Sequence, residues 1–335
     1  MNIIVPTPDK DYKVLVRCAT YNQSKYICDA LNGFAIQETD FPFICIVVDD
    51  ASKDGNQDVI KQYANDNCDM SKSEISEDDI SFYIRVPHKT NTNCVYLFCL
   101  LKVNLYCKPE KQEIYKPYRS VCEYEAICEG DDYWIDTLKL HKQVRFLDKN
   151  SSYGLVGSCF ENLFQVTGEK NVVEPKVKDI DFKETLIRAG IGTATCSVLF
   201  RIRNIVGYNE FVSGNKWPLG DLSLWLYVLR ESQAHIMEDV TSVYRILQES
   251  ASHTKSYEKA IAFNKGIYNI QLFFANKYCL NLIPNLTSNF YRSMFYTSIR
   301  YGKTKDAIDF SKKIKCEWKD YLRIVKSALI FNRYA

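Results

Sequence analysis

The unbroken apolar run Phe43-Ile44-Cys45-Ile46-Val47-Val48, which stops abruptly at Asp49-Asp50, constrains the fold more than any other feature of this chain. Apolar side chains in succession show no alternation, so both faces of the segment must be buried. A parallel sheet covered by helices buries a short strand in this way. Two further segments read as buried strands: Lys13–Cys18 leads into Ala19-Thr20-Tyr21-Asn22, and Tyr124–Cys128 leads into Glu129-Gly130-Asp131-Asp132. Each buried strand therefore ends on a polar cluster. Open α/β sheets bind ligands at the carboxyl ends of their strands.

The intervening pattern is helical. Ile27, Ala30, Leu31 and Phe34 recur at helical spacing after Ser24, a candidate N-cap, and Val59, Ile60 and Tyr63 mark a second helix. Met70–Asp79 is expected to be an exposed polar loop and Ser81–Val86 a strand. Tyr96, Leu97, Leu100 and Leu101 fit a third helix, and Lys108–Arg119 a solvated basic loop. The alternation predicts a doubly wound α/β sheet. Beyond Trp134, the spacing predicts a helix over Leu140, Val144 and Leu147 and strands at Gly154–Phe164, Ala194–Phe200, His235–Glu238 and Ser242–Ile246. Asp181 with Glu184 reads as a capping pair, Gly190 as a helix stop, and Gly220-Asp221 as the start of a helix bearing Leu222, Trp225, Leu226 and Leu229. From Ser256 helical periodicity dominates, so the expected division is an α/β domain over 1–255 and a helical subdomain over 256–335.

Bulk properties narrow the function. The 43 basic residues barely exceed the 41 acidic ones, which argues against a nucleic-acid partner. The 13 cysteines are irregularly spaced with no C-x-x-C pair, as expected of free thiols in a reducing, cytoplasmic setting. Met1–Lys10 lacks a signal-peptide core, and no run of about 18 apolar residues is present.

The chemistry concentrates at the strand ends. Adjacent carboxylates at Asp131-Asp132 are costly unless solvated, hydrogen-bonded or neutralised by a cation. Mg²⁺ and Mn²⁺ take carboxylate oxygens and complete their shells with substrate phosphates. Asp49-Asp50-Ala51-Ser52 offers acceptors for a base N–H or a ribose hydroxyl, and Tyr21 a ring for stacking. Taken singly, the two acidic motifs read equally well as polar turns or caps, and Tyr21 more readily as packing. Together they fall on one edge of one sheet.

In order and spacing, Val14–Asn22, Ile46–Ser52 and Glu129-Gly130-Asp131-Asp132-Tyr133-Trp134 resemble the family 2 glycosyltransferases of GT-A fold, over roughly residues 12–255 and especially the bacterial enzymes of surface-polysaccharide synthesis. The resemblance implies a GT-A mixed sheet with a helical extension, a nucleotide-sugar donor (UDP-sugar favoured), Mn²⁺ or Mg²⁺, and a glycan or lipid-linked acceptor. It places Thr20, Tyr21 and Asn22 at the nucleobase, Asp50 on the base N3–H, Asp131 near the ribose and Asp132 on the metal. It makes Asp221 the general base of an inverting transfer, although Gly220 stands where an acid often precedes it; helix capping by Asp221 is the competing role. Arg245 is expected to meet the donor phosphates, and His253 the diphosphate or the metal. Trp134 and Trp225 are expected to pack.

The family's Gln-x-x-Arg-Trp element and membrane helices are absent from the sequence, which points to transfer of one or a few sugars. Lys108, Lys111, Lys116 and Arg119 suggest peripheral contact with an anionic membrane, against the plainer alternative of a solvated loop. Two other functions compete. A sugar nucleotidyltransferase would need a glycine-rich first loop, which Ala19-Thr20-Tyr21-Asn22 is not. A non-catalytic interaction protein would use the C-terminal helices on a GT-A scaffold.

Overall fold

The computed structural model describes residues 4–215, 217, 220–247 and 256–331. The chain forms two compact units: Met1–Ile180, Gly192–Val206 and Val228–Leu247 in the first, and Asp181–Ile191, Gly207–Tyr227 and Gln248–Ala335 in the second.

Among the described residues the first unit holds one twelve-stranded mixed sheet. Its strands are β1 Val14–Thr20, β2 Phe43–Asp49, β3 Glu74–Glu77, β4 Ser81–Pro87, β5 Cys94–Leu101 and β6 Tyr124–Ile127. They continue as β7 Tyr133–Trp134, β8 Tyr153–Phe164, β9 Lys170–Val173, β10 Asp179–Ile180, β11 Leu199–Arg201 and β12 Gln233–Ile246. The principal order is β10-β12-β8-β11-β6-β1-β2-β5-β4-β3, with β7 on β12 and β9 on β8. The centre, β6-β1-β2-β5, is parallel, while β11 and β4 join it antiparallel. Helices α1 Ile27–Ala35, α2 Asn56–Asn67, α3 Lys116–Arg119 and α4 Lys139–Lys149 complete the unit.

Strand alternation divides the core. Phe43, Cys45 and Val47 join Ile27, Leu31, Phe34, Leu140 and Val144 on one face, while Ile44, Ile46 and Val48 join Tyr115 and Tyr118 on the other. Every residue of β2 is buried, as the apolar run requires. On the second face Glu125 is fully buried between Arg17 Nε at 2.8 Å and Arg119 Nε at 2.7 Å. Burial alone would push its carboxyl up, but the two guanidiniums outweigh burial and hold it below its ordinary value.

Several expectations change. Cys94–Leu101 is a strand, not a helix: it lies between β2 and β4 with every residue buried, and a continuous apolar run carries no period that separates the two states. Ser24 does not cap α1. Tyr26 holds that position, and the Ser24 amide donates to Asp54 Oδ2 at 2.9 Å. Within 70–79 the exposed strand β3 forms against β4. The Ala194–Phe200 strand begins only at Leu199, after a tight 3₁₀ turn at Thr195–Ser197. The two short strands expected between 235 and 246 are one, β12, whose register shifts between Met237 and Ser242 let acidic Glu238 and Asp239 face outward.

Lys108–Arg119 is not a free basic loop. It folds as a 3₁₀ turn at Pro109–Ile114 followed by α3, with Lys111 paired to Asp50 at 2.8 Å and Arg119 to Glu125.

The remaining helices are α5 Phe182–Arg188, α6 Tyr208–Val212, α7 Gly220–Leu229, α8 Tyr257–Lys277, α9 Ile283–Arg300, α10 Thr304–Ser311 and α11 Trp318–Phe331. Asp181 caps α5 by accepting from Glu184 N at 2.8 Å, and Ala189, not Gly190, takes the left-handed C-cap at φ 58°. In the second unit Leu186, Leu222 and Leu226 share a core with Ile270, Phe274 and Leu286. The helices after Ser256 therefore pack with segments from the middle of the chain. Among the described residues no helix is long and apolar enough to cross a membrane.

Candidate active site

The loops after β1, β2 and β6 meet at the carboxyl edge of the parallel strands. Thr20 and Asp49 are the last register pair of β1 and β2, and the Asp50 amide donates to Thr20 O at 3.0 Å. The first two loops are clasped: Asn22 N donates to Ser52 Oγ and Lys53 N to Asn22 Oδ1, both at 2.8 Å. Asn22 and Ala51 hold left-handed backbone, at φ 54° and 60°. Asp49 Oδ1 accepts from Ser52 N and Gln57 Nε2, while Asn56 Nδ2 reaches both Asp49 Oδ2 and Thr20 Oγ1. Thr20 is thus buried structure, whereas Tyr21 is 47% exposed and offers a face for stacking.

Asp50 is buried and occupied. Its Oδ1 accepts from Leu105 N at 2.5 Å and its Oδ2 from Lys111 Nζ at 2.8 Å. Each carboxylate oxygen retains a second lone pair, so a base N–H would be an additional donor to an anchored group.

The third loop presses onto the first. Gly130 N donates to Ala19 O at 3.0 Å, and a Cβ at Gly130 would stand 2.7 Å from Thr20 Cβ, Thr20 Oγ1 and Gln23 Oε1. Gly130→Ala should therefore cost about 1–3 kcal/mol and displace the acidic pair. A lower midpoint in chemical unfolding, with weaker nucleotide binding, would show it.

Asp131 and Asp132 occupy an unusual electrostatic setting. Burial pushes the Asp131 carboxyl up, opposed by Arg245 and Gln23. Burial, then the charges of Asp131 and Glu129, pushes the Asp132 carboxyl well above the usual range, opposed by the Arg245 amide and the Cys196 thiol. Arg245 is expected from the sequence to meet donor phosphates. Its side chain is buried, 6% exposed, and braces the acidic loop. Its amide donates to Asp132 Oδ1 at 2.8 Å and its Nε to Asp131 O at 2.7 Å. Nη1 and Nη2 donate to Gln165 Oε1 at 2.6 Å and Asp29 Oδ2 at 2.7 Å, and the group lies over the rings of Tyr26 and Tyr133.

Among the described residues no cluster of three or more His, Cys, Asp or Glu side chains forms a metal cage. The donor set nevertheless fits a hard divalent cation. Mg²⁺-type ions bind through one or two carboxylates and complete their shell with water and phosphate oxygens. Asp131 and Asp132 are two such carboxylates held among like charges. His253, the further expected ligand, lies outside the described residues.

Trp134 and Trp225 are buried, as expected, and Trp134 Nε1 donates to Cys196 O at 2.7 Å. Beneath Trp134 lies a residue that the sequence did not single out. Lys139 is fully buried, its Nζ donating to Gln143 Oε1 at 2.7 Å and lying 4.4 Å from the Trp134 ring centroid. Burial lowers its pKa to about 7. From about pH 7 up to the unfolded lysine value near 10.4, the unfolded chain binds the proton and the native one does not. This residue therefore adds up to about 1.4 kcal/mol of stability per pH unit over that window, all of it lost as pH falls back through about 7. The difference in urea-unfolding free energy between Lys139→Met and the parent chain should change with that slope between pH 7 and 9.5.

Gln23 also escaped the sequence reading. Its buried Oε1 has no hydrogen-bond partner among the described residues and lies against the position of Gly130. The available signal was its place two residues after Tyr21 in the same loop.

Asp221 belongs to the second unit, in the first turn of α7. Its Oδ1 accepts from Leu222 N at 2.8 Å, and burial raises its carboxyl against the pull of backbone N–H groups.

Residues 16–90, spanning most of β1, all of β2 and the loops after them, match the family Glycosyl transferase family 2. Uncharacterized proteins of Mycobacterium tuberculosis and Mycobacterium bovis are 36% identical over 131 residues, 39% of this chain and 30% of theirs. The aligned stretch is thus under a third of those relatives' length. The mannosyltransferase PcManGT from Pyrobaculum calidifontis, in complex with GDP-Man and Mn²⁺, superposes with a TM-score of 0.52 at 15% identity, covering 98% of this chain and 82% of that one. S. aureus TarS 1-349, in complex with UDP-GlcNAc, gives 0.50 at 15% identity over 89% of each. At such identity these likenesses speak for the fold, a mixed α/β sheet with C-terminal helices. The first strands of the chain thus match Glycosyl transferase family 2, and its fold is the mixed α/β sheet that those glycosyltransferase structures share.

Proposed function

We propose that this protein is an inverting transferase that moves a sugar from a nucleotide-diphosphate donor, with UDP-sugar favoured, to a hydroxyl of a glycan or lipid-linked acceptor. The observation that carries this proposal is the convergence of the loops after β1, β2 and β6, with Arg245 bracing the acidic pair from β12. Such a clasped edge supports donor binding at a strand-end crevice.

Tyr21 supplies the stacking face for the base, and Asp50, anchored by Lys111 and Leu105, accepts from the base N3–H. Thr20 and Asn22 hold that loop in shape. Asp131 faces the ribose side, and Asp132 is the carboxylate that would hold Mn²⁺ or Mg²⁺ together with the donor diphosphate. When bound, the cation neutralises charge on the departing diphosphate. Arg245 acts by positioning the two aspartates.

The acceptor oxygen attacks the anomeric carbon from the face opposite the leaving group. The bond from that carbon to the diphosphate oxygen breaks, and Asp221 takes the acceptor proton. A carboxyl raised by burial is a stronger base than an ordinary aspartate, which supports this assignment. Bacterial cell-surface polysaccharide synthesis at the cytoplasmic face of the membrane is the setting that fits a nucleotide-sugar donor and a peripheral enzyme.

Thermal melting with UDP-, GDP- and dTDP-sugars, each with and without Mn²⁺, tests the donor site. At a hundredfold the dissociation constant a ligand adds about 2.7 kcal/mol. A Mn²⁺-dependent shift with one nucleotide class is expected. No shift with any of them would favour the interaction-protein alternative.

A further inference from the structure

Helix α11 carries an apolar stripe on its outer side. Trp318, Tyr321, Leu322 and Val325 recur at i, i+3, i+4 and i+7, one face of a helix, and are 67%, 57%, 48% and 54% exposed. The register of the helix is fixed from its other side. Asp320 is 2% exposed and accepts from Tyr296 Oη of α9, from Arg323 Nη1 and from Glu317 N, each at 3.0 Å. The stripe is therefore the side turned away from the packed core.

Charge around the stripe is one-sided. Residues 312–326 contain six basic and two acidic side chains, whereas the whole chain nets only +2, so the remainder is slightly acidic. Lys312 pairs with Asp309, and Asp320 is buried. Lys315, Lys319 and Lys326 are exposed and form no ion pair among the described residues, and Lys319 Nζ lies 5.7 Å from the Trp318 ring centroid.

Exposed Trp and Tyr among aliphatic side chains, flanked by lysines, match the boundary of a lipid bilayer. Aromatic rings sit at the headgroup level there, and lysine stems run along apolar surface to reach phosphates. The basic excess selects an anionic surface. We infer that α11 lies in the plane of an anionic lipid bilayer, with the Trp318 stripe in the headgroup boundary and the three lysines on lipid phosphates. The helix lies on the membrane and does not span it. Lys108–Arg119, the segment the sequence suggested for such contact, has Lys111 and Arg119 already committed to internal carboxylates.

The inference rests on the peripheral-membrane part of the proposed function. Its test needs no turnover, so its failure would leave the donor site untouched. The full chain is sedimented with vesicles of phosphatidylglycerol and phosphatidylcholine, and separately with pure phosphatidylcholine vesicles. Binding to the anionic vesicles should exceed binding to the neutral ones at least tenfold and fall with salt. Leu322→Asp with Val325→Asp, and separately Lys319→Glu with Lys326→Glu, should each weaken it at least tenfold without lowering the melting temperature. Trp318→Phe should remove the blue shift of tryptophan fluorescence on vesicle addition. Equal sedimentation of parent and variants, or no sedimentation with anionic vesicles, overturns the inference. A change of mass by light scattering in the Asp variant, with vesicle binding intact, would make the stripe a contact between protein chains and overturn it equally.

Discussion

Asp132→Asn should slow sugar transfer at least a hundredfold, about 2.7 kcal/mol in the activation barrier, while raising the melting temperature of the ligand-free protein. The two effects have one cause. Asp132 is buried beside Asp131 and Glu129, so its ionised form is disfavoured in the native state and its carboxyl lies well above the ordinary value. A carboxyl raised on folding stabilises the native state most in acid, and that contribution is lost as pH rises through the native value. The amide of asparagine carries no charge to lose, yet its oxygen can still accept the Arg245 N–H now held at 2.8 Å. Relief of like-charge repulsion should be worth about 1 kcal/mol at neutral pH, roughly 2–4 °C. The same substitution removes the charged oxygen that would hold a divalent cation, so the Mn²⁺-dependent nucleotide shift should vanish. Differential scanning calorimetry with and without Mn²⁺ and nucleotide checks both halves. A surviving Mn²⁺-dependent shift would refute the role given to Asp132.

Asp221→Asn should behave differently. A general base contributes on the order of 10²–10⁴ to the rate, so kcat should fall by that factor while the nucleotide-induced melting shift stays at the parental value. Asparagine can still accept the Leu222 N–H at the start of α7, so a residue that only caps the helix would tolerate the change. The pH profile provides a second readout. Because burial raises the Asp221 carboxyl, the acidic limb of kcat/KM should lie above the ordinary aspartate range in the parent chain and disappear in the variant. Full activity in the variant would end the assignment.

The parallel centre of the sheet was legible because β1, β2 and β6 are short, mostly apolar and punctuated by polar clusters, with Arg17 and Glu125 the charged exceptions in β1 and β6. The same property concealed β5. A run such as Cys94–Leu101 fits a buried strand or a buried helix equally, and only pairing with β2 and β4 decides between them. The acidic pair and Tyr21 could be found because their strands end at a shared edge. What those side chains touch could not be found, because contacts distant in the chain determine it. Arg245 meets Asp29, more than two hundred residues away, and Lys111 crosses to Asp50. Lys139 was hidden for a related reason: in sequence it is one more lysine at the start of a helix, and only the Trp134 ring and Gln143, one turn on in α4, reveal its burial.

The clasp between the first two loops has a thermodynamic consequence. Ser52, Lys53 and Asn22 exchange hydrogen bonds, and Ser24 reaches Asp54, so the chain's own contacts hold both loops. The left-handed turns at Asn22 and Ala51 are likewise set in advance. Ordering a loop on ligand entry normally consumes part of the affinity, about 0.5–1.5 kcal/mol for each side chain immobilised. If the donor binds at this edge as proposed, folding itself has met that entropic charge, and the base would enter a cradle that need not close around it. Association on the β1–β2 side should then be quick and nearly rigid, leaving the affinity for a given nucleotide to the quality of its contacts.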